Sequence, residues 1–262
     1  MTAREALAES ERRLAVAGVE APRVDAEWLV AHLLGTTRSG VAARLDDEID
    51  GLEPVLLRRE AREPLAYVLG EWGFRRLTLK TDARALVPRP ETEVLVEHAL
   101  ALAAEIDAPR ILDVGVGSGA IALAIKDERP DADVTGVDVS ADALELAREN
   151  AELLGLEIEL HQGDGAATAA EGWDVVVANP PYVESLDELQ PELLRWEPSI
   201  ALVGRGEHER LARAANARFI VFEVGDGQAQ AVAETLERLG WTDVTIAPDL
   251  GGSDRVVEAR RP

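Results

Sequence analysis

A chain of 262 residues, 47% hydrophobic and 29% charged, can build one large or two modest domains around a real core. It has no cysteine, which excludes disulfides, thiolate zinc sites and a cysteine nucleophile together. A net charge of −23 repels phosphate backbones at long range, so stable nucleic-acid binding is not expected, and a basic protein or a small cationic ligand suits the surface better. Residues 1–6 are charged and helical in pattern, unlike a signal peptide, and no stretch approaches the length of a membrane span. We expect a cytoplasmic protein with no membrane partner, a monomer, and no metal site.

Residues 1 to about 65 read as a helical bundle. Leu7, Leu14, Val16, Ala26, Leu29, Val30 and Leu33 recur at roughly helical spacing among Ala, Glu and Arg. Thr2 caps the first helix, with Glu5 as its capping-box partner. Gly18 and Pro22 separate it from a helix near 23–34, and Asp50-Gly51 opens another through Leu56 and Leu57. The run from Tyr67 to Leu79 is richer in aromatic and β-branched residues, with two glycines, and reads as a hairpin. Proline followed by carboxylates in Pro88-Arg89-Pro90-Glu91-Thr92-Glu93 starts a helix that runs to about Glu105. Glu91 and Glu93 are either solvated first-turn carboxylates or part of a cofactor lid.

From Arg110 strands and helices alternate. Strands are expected at 111–114, 134–138, 158–160, 173–178 and 219–224, with helices at 118–128, 140–154 and 227–239. Repeated β-α-β units with apolar strands argue for a parallel sheet covered on both faces. Two closing strands near 242–247 and 255–259, with no helix between them, suggest an antiparallel hairpin on the sheet edge. Glu223, ending strand 219–224, reads as a polar strand terminus. Trp72 and Phe74 read as core.

Three strand ends carry chemistry. Asp113-Val114-Gly115-Val116-Gly117-Ser118-Gly119 follows a strand and opens a helix, and its glycines let a ligand approach the backbone. The spacing does not fit G-x-G-x-x-G, and the lysine of a phosphate-cradling loop is absent. A loop that meets a nucleoside without binding phosphates is the better reading. Asp138, ending the next strand, is placed to accept hydrogen bonds from a ribose. Asp164, after the third strand, is within reach of an adenine amino group. Each acid has the plainer alternative of a turn residue or helix cap. Together they point to S-adenosyl-L-methionine, a sulfonium cation that lacks phosphates and so matches the missing basic residues.

Asn179-Pro180-Pro181-Tyr182 ends the strand at 173–178. Two prolines stop the strand, and the residue before a proline is held out of the helical region. This stiff turn suits a planar nitrogen nucleophile with two N–H groups. The Asn179 side-chain oxygen and the Pro180 carbonyl each accept one hydrogen, and Tyr182 stacks on the planar group. Methyl transfer from a sulfonium is an in-line displacement, so alignment is a large part of catalysis. An amide nitrogen is a poor nucleophile because its lone pair is shared with the carbonyl. Two fixed acceptors favour charge build-up on it. No general base is needed first, because the methylated nitrogen loses its proton afterwards. The four histidines are scattered along the sequence and form no cluster.

These motifs, with Glu63-Pro64-Leu65-Ala66-Tyr67, Gly70-Glu71-Trp72-Gly73-Phe74 and Glu197-Pro198, resemble the PrmC/HemK family, the protein-(glutamine-N5) methyltransferases of peptide-chain release factors. The resemblance runs over most of the chain. It implies an α/β fold, a class I (Rossmann-like) seven-stranded methyltransferase domain over 87–262. An N-terminal helical substrate-recognition domain over 1–66 would be joined to it by a β-hairpin over 67–86. It implies that Gly115, Val116, Gly117, Ser118 and Gly119 line the cofactor, that Asp138 takes the ribose, and that Asn179, Pro180, Pro181 and Tyr182 hold the substrate glutamine. That glutamine would be the one in the Gly-Gly-Gln loop of class-1 release factors. The chain departs from the family at Gly165, where an aromatic often follows the acid, and at 205–218, where a Pro-Gly-Gly turn is missing. The rivals are a glutamine methyltransferase acting on a ribosomal protein, a DNA adenine-N6 methyltransferase, and a cofactor-binding scaffold without catalysis.

Overall fold

The computed structural model describes residues 1–183 and 190–262. The chain begins with helices α1 (Ala3–Val16) and α2 (Pro22–Leu34), a 3₁₀ turn over Arg38–Ala43, α3 (Leu52–Glu60) and α4 (Leu65–Leu69). Strands β1 (Glu71–Phe74) and β2 (Leu77–Lys80) precede α5 (Thr92–Ala103). Then follow β3 (Arg110–Val114), α6 (Ala120–Glu128), β4 (Asp133–Asp138), α7 (Ala141–Leu154), β5 (Glu159–Gln162), α8 (Gly165–Ala169) and β6 (Trp173–Ala178). The chain closes with α9 (Pro191–Trp196), α10 (Glu207–Ala214), β7 (Ala217–Glu223), α11 (Ala229–Arg238), β8 (Thr242–Pro248) and β9 (Asp254–Arg260). Among the described residues, no helix is long and apolar enough to cross a membrane.

Two compact units divide the chain: Met1–Glu71 with Leu189–Trp196, and Trp72–Glu188 with Glu197–Pro262. In the first, the capping box of α1 forms, with Glu5 N donating to Thr2 Oγ1 at 3.3 Å and Thr2 N to Glu5 Oε2 at 2.9 Å. Leu14, Leu29 and Leu56 are fully buried and supply its apolar centre. Arg59 is buried there too, and a buried cation must be paired. Its Nε donates to Asp25 at 2.7 Å, and its Nη2 to Glu192 of α9 at 3.0 Å. The expected hairpin from Tyr67 starts later. Pro64 opens a helical turn, Tyr67, Val68 and Leu69 are buried in it, and Gly70 at φ +79° ends it, so pairing begins at Glu71. Positive φ at that position favours glycine.

The second unit holds a seven-stranded sheet in the order β5-β4-β3-β6-β7-β9-β8. β3 pairs in parallel with β4 and β6, β4 with β5, and β6 with β7. β9 is antiparallel to both β7 and β8, the edge hairpin expected from the sequence. Period-2 geometry sends alternate side chains to opposite faces. Ile111, Val175 and Val177 join one core with Leu95, Ile121 and Leu123 from α5 and α6. Leu112 and Val176 join the other with Leu211, Leu236 and Trp241. Each fully buried aliphatic side chain contributes roughly 1.5–3 kcal/mol, so covering both faces dominates the stability of the unit.

The order of strands reverses at β3, with β4 on one side and β6 on the other. Ligand crevices in open α/β sheets form outside the carboxyl ends of strands at such a reversal. The loops after β3, β4 and β6 all emerge there. Asn150 of α7 ties two neighbouring segments together. It is fully buried, its Oδ1 accepts from Lys80 N at 2.7 Å, and its Nδ2 donates to Lys80 O at 3.1 Å and Ser118 O at 2.9 Å. Replacing Asn150 with Ala leaves a part-buried N–H and two carbonyls without their partner. A loss of about 1–3 kcal/mol is expected, read as a lower urea midpoint; an unchanged midpoint would contradict this role.

Candidate active site

The end of β3 is set by a buried acid. Asp113 is inaccessible to solvent, and its Oδ2 accepts from the Ala122 N–H at 3.0 Å, an amide in the first turn of α6. Its Oδ1 has no hydrogen-bond partner among the described residues. Burial, assisted by the charge of Asp138, pushes its carboxyl up to about 7. Between Asp113 and α6, Gly115, Gly117 and Gly119 have φ of +77°, +54° and +87°. Side chains rarely adopt this conformation, which explains the three glycines at this spacing. The loop is pinned to β4 as well. Gly115 N and Val116 N donate to Val137 O at 2.8 and 3.1 Å.

Asp138 ends β4 with both carboxylate oxygens engaged. Oδ2 accepts from Gly117 N at 3.0 Å and Oδ1 from Ser140 N at 2.9 Å. Each oxygen keeps a second lone pair.

A cleft of about 330 Å³ opens above these strand ends. Gly115, Val116, Gly117, Ser118, Asp138, Asn179, Pro180 and Pro181 all line it. Three sequence motifs, far apart in the chain, therefore meet at one place. Three expected site residues are not on its wall. Gly119 shapes the entry to α6. Asp164 caps α8, accepting from Ala166 N at 2.8 Å, and pairs with Arg210 at 2.7 Å. That pairing, with the Ala166 amide, holds its carboxyl below the usual range. Tyr182 faces a neighbouring depression lined also by His208 and Gln228. Its carbonyl accepts from Gln228 Nε2 at 3.0 Å. Burial raises its phenol pKa, so the ring stays neutral.

The cleft wall is not free of basic residues, contrary to the sequence reading. Arg84, Arg89 and Arg210 contribute to it. Each is already committed to carboxylates: Arg84 to Asp82 and Glu149, Arg89 to Glu197, Arg210 to Asp164 and Glu207. A phosphate would have to compete with these acids. Glu91 and Glu93, at the start of α5, lie off the wall. Glu91 is exposed, and Glu93 Oε1 accepts from Arg75 N at 2.8 Å, holding the turn between β1 and β2.

Sequence reasoning missed two residues behind the Asn179 turn. Thr92 is buried at the start of α5, and Asn179 Nδ2 donates to its Oγ1 at 3.3 Å. Glu223, taken as a plain strand end, is only 2% exposed, and Thr92 and Asn179 favour its charge. An acid closing an otherwise apolar strand was the available signal.

Comparison with known proteins decides the family. Residues 5–70 match the PrmC N-terminal domain, and residues 90–195 match the methyltransferase small domain. A release factor glutamine methyltransferase of Rhodospirillum rubrum is 42% identical over 95% of this chain and 82% of its own. One from Deinococcus radiodurans is 39% identical over 100% of this chain and 99% of its own. The chain belongs to the release factor glutamine methyltransferase family. It is therefore an S-adenosylmethionine-dependent protein glutamine methyltransferase. A methyltransferase of Pyrococcus furiosus, 17% identical, shares the fold with a TM-score of 0.54 over 70% of this chain and 88% of its own.

The departure at Gly165 has a steric cause. A Cβ there would lie 2.2 Å from Val114 Cγ1, so Val114 occupies the space next to the cleft. Gly165→Ala is expected to cost about 1–3 kcal/mol through overpacking, with Val114→Ala in the same chain restoring most of it. Thermal denaturation of the wild type, both single variants and the double variant checks this; additive losses in the double variant would refute it. Asp113 gives a pH test. Its folded pKa is raised, so its stabilising contribution is complete below the ordinary carboxylate value and is lost as pH rises through about 7. Asp113→Asn is expected to trail the wild type in urea midpoint at pH 5 and to close the gap at pH 8. A gap independent of pH would contradict the assignment.

Proposed function

We propose that the protein transfers the methyl group of S-adenosylmethionine to the side-chain amide nitrogen of the glutamine in the Gly-Gly-Gln motif of class-1 peptide chain release factors. The observation that carries this reading is that the Asn179-Pro180-Pro181 turn, the glycine loop and Asp138 share one cleft. The names of the relatives support the release factor as partner.

The residues present fit the cofactor. Apolar Val116, Val137 and Val139 offer a face for a flat ring, Asp138 keeps two acceptor sites for ribose hydroxyls, and every arginine on the wall is already neutralised. Gly115, Val116, Gly117 and Ser118 would hold it by backbone approach, with Gly119 setting the loop. An adenine amino group would share Asp164 with Arg210. When bound, the cofactor supplies an electrophilic methyl group on a positively charged sulfur.

The remaining work falls to the turn. Asn179 Oδ1 and the Pro180 carbonyl accept the two N–H groups of the glutamine amide. These fixed dipoles favour electron density on nitrogen and hold it in line. Pro180 and Pro181 keep the acceptors from relaxing, and Gln228 holds the Tyr182 carbonyl behind them. The nitrogen loses one proton to solvent after the new N–C bond has formed.

The test uses methyl-labelled S-adenosylmethionine with a class-1 release factor, beside a copy whose Gly-Gly-Gln glutamine is Ala. Label is expected on the first only. Asn179→Ala should lower kcat about 10²–10³-fold, as loss of one charge-stabilising group does, with cofactor affinity unchanged. Equal label on both factors would sink the assignment of the target residue. No label on either, with the cofactor bound, would point to another glutamine-bearing protein such as a ribosomal protein.

A further inference from the structure

The chemistry proposed for Asn179 requires its oxygen, not its nitrogen, to meet the substrate. An asparagine amide is nearly symmetric in shape, so something must decide which end faces the cleft. Three observations bear on this. Asn179 lines the cleft, and its Nδ2 donates to Thr92 Oγ1 at 3.3 Å. Glu223 ends the neighbouring strand β7, where Ala178 pairs with Phe222, so its carboxyl lies beside Asn179 and Thr92, and both favour its charge. Glu223 is 2% exposed, and its Oε2 has no hydrogen-bond partner among the described residues.

We propose that Glu223 is a positioning residue that fixes the orientation of the Asn179 amide, and so determines whether the turn presents an acceptor to the substrate. An ionised carboxylate only accepts hydrogen bonds. It therefore takes an N–H of Asn179 and the hydroxyl of Thr92. With the amide nitrogen committed to Glu223 and Thr92, Oδ1 is left for the cleft. The inference rests on the reading of Asn179 as the glutamine acceptor.

The same geometry makes the device sensitive to protons. A protonated Glu223 gains an O–H donor, which Asn179 Oδ1 can accept after a half-turn of the amide. The cleft then meets an NH₂ group, which opposes a substrate amide that also donates. Burial is the main reason that the Glu223 carboxyl is pushed up to about 7. The facing groups are mixed. Thr92, Asn179 and Arg255 of β9 favour its charge, while Glu91 opposes it. Tyr182 lies close enough to feel its charge, and His208 Nε2 meets the Glu223 backbone carbonyl at 2.8 Å. Ionisation is thus expected to come and go near neutral pH.

The chain has three asparagines, Asn150, Asn179 and Asn216, so ¹⁵N-asparagine labelling gives three side-chain NH₂ signals. In the full-length protein the Asn179 pair is expected to shift with a single transition near pH 7, and Glu223→Gln is expected to abolish that transition. With release factor as substrate, Glu223→Gln should lower kcat at pH 8 about tenfold, with the cofactor dissociation constant within about twofold. Its kcat should also lack the wild-type fall below pH 7. An Asn179 signal that does not move with pH in the wild type would overturn the proposal, as would wild-type kcat in Glu223→Gln. The labelling experiment needs neither a variant nor turnover, so it judges the coupling even if Glu223→Gln folds poorly. Full turnover by Asn179→Ala would instead overturn the acceptor reading, and the NMR transition would still report on Glu223.

Discussion

A single buried carboxyl fixes the floor of the cleft. Asp113 reaches under the glycine loop to an amide in the first turn of α6, which sets where the strand stops and where the helix starts. The loop between them has to fold back with φ positive at three positions, and only glycine does this at low cost. Its path then brings Gly117 N to Asp138, so the acid at the end of β4 is oriented by the same loop. Burying Asp113 opposes its ionisation, and its second oxygen is left unpartnered. A strained electrostatic element at the base of a site is a recurrent trade of stability for geometry.

From that floor the chemistry is arranged by strand order. Because β6 lies on one side of β3 and β4 on the other, the Asn179 turn and Asp138 rise on opposite flanks of the glycine loop. The prolines end β6 abruptly, and Gln228 then clamps the Tyr182 carbonyl while its Oε1 accepts from Gly225 N at 3.2 Å. The turn is thus held by its own covalent stiffness on one side and by the start of α11 on the other. Electrostatics follows a similar plan. Arg84, Arg89 and Arg210 are each matched to acids, so the cleft retains its arginine side chains as structure without becoming a phosphate site.

Much of this was legible in the sequence because its signals are local. Alternation of apolar runs with Gly and Pro gave the strands, and glycines, Asp138 and Asn179 each announce a strand end. The helical turn at Leu65–Leu69 was hidden, since Tyr67, Val68 and Leu69 favour strands by type and are held in a turn by Pro64 and Gly70. The short helix after Asp164 is likewise hidden, because five residues are too few to show periodicity. What the sequence could not display were pairings across long separations. Thr92 with Asn179, Asn150 with Lys80 and Arg210 with Asp164 are joined only by the fold. The arginines illustrate the limit well, since their presence on the wall and their neutralisation both depend on partners far away in the chain.

The central claim is that the turn after β6 holds the glutamine amide by two acceptors. It is tested most directly by a crystal structure of the protein with the demethylated cofactor product and a class-1 release factor. The expected density places the glutamine nitrogen within hydrogen-bond distance of Asn179 Oδ1 and the Pro180 carbonyl, in the cleft shared with Asp138. A glutamine lodged elsewhere, such as the depression beside His208 and Gln228, would contradict it.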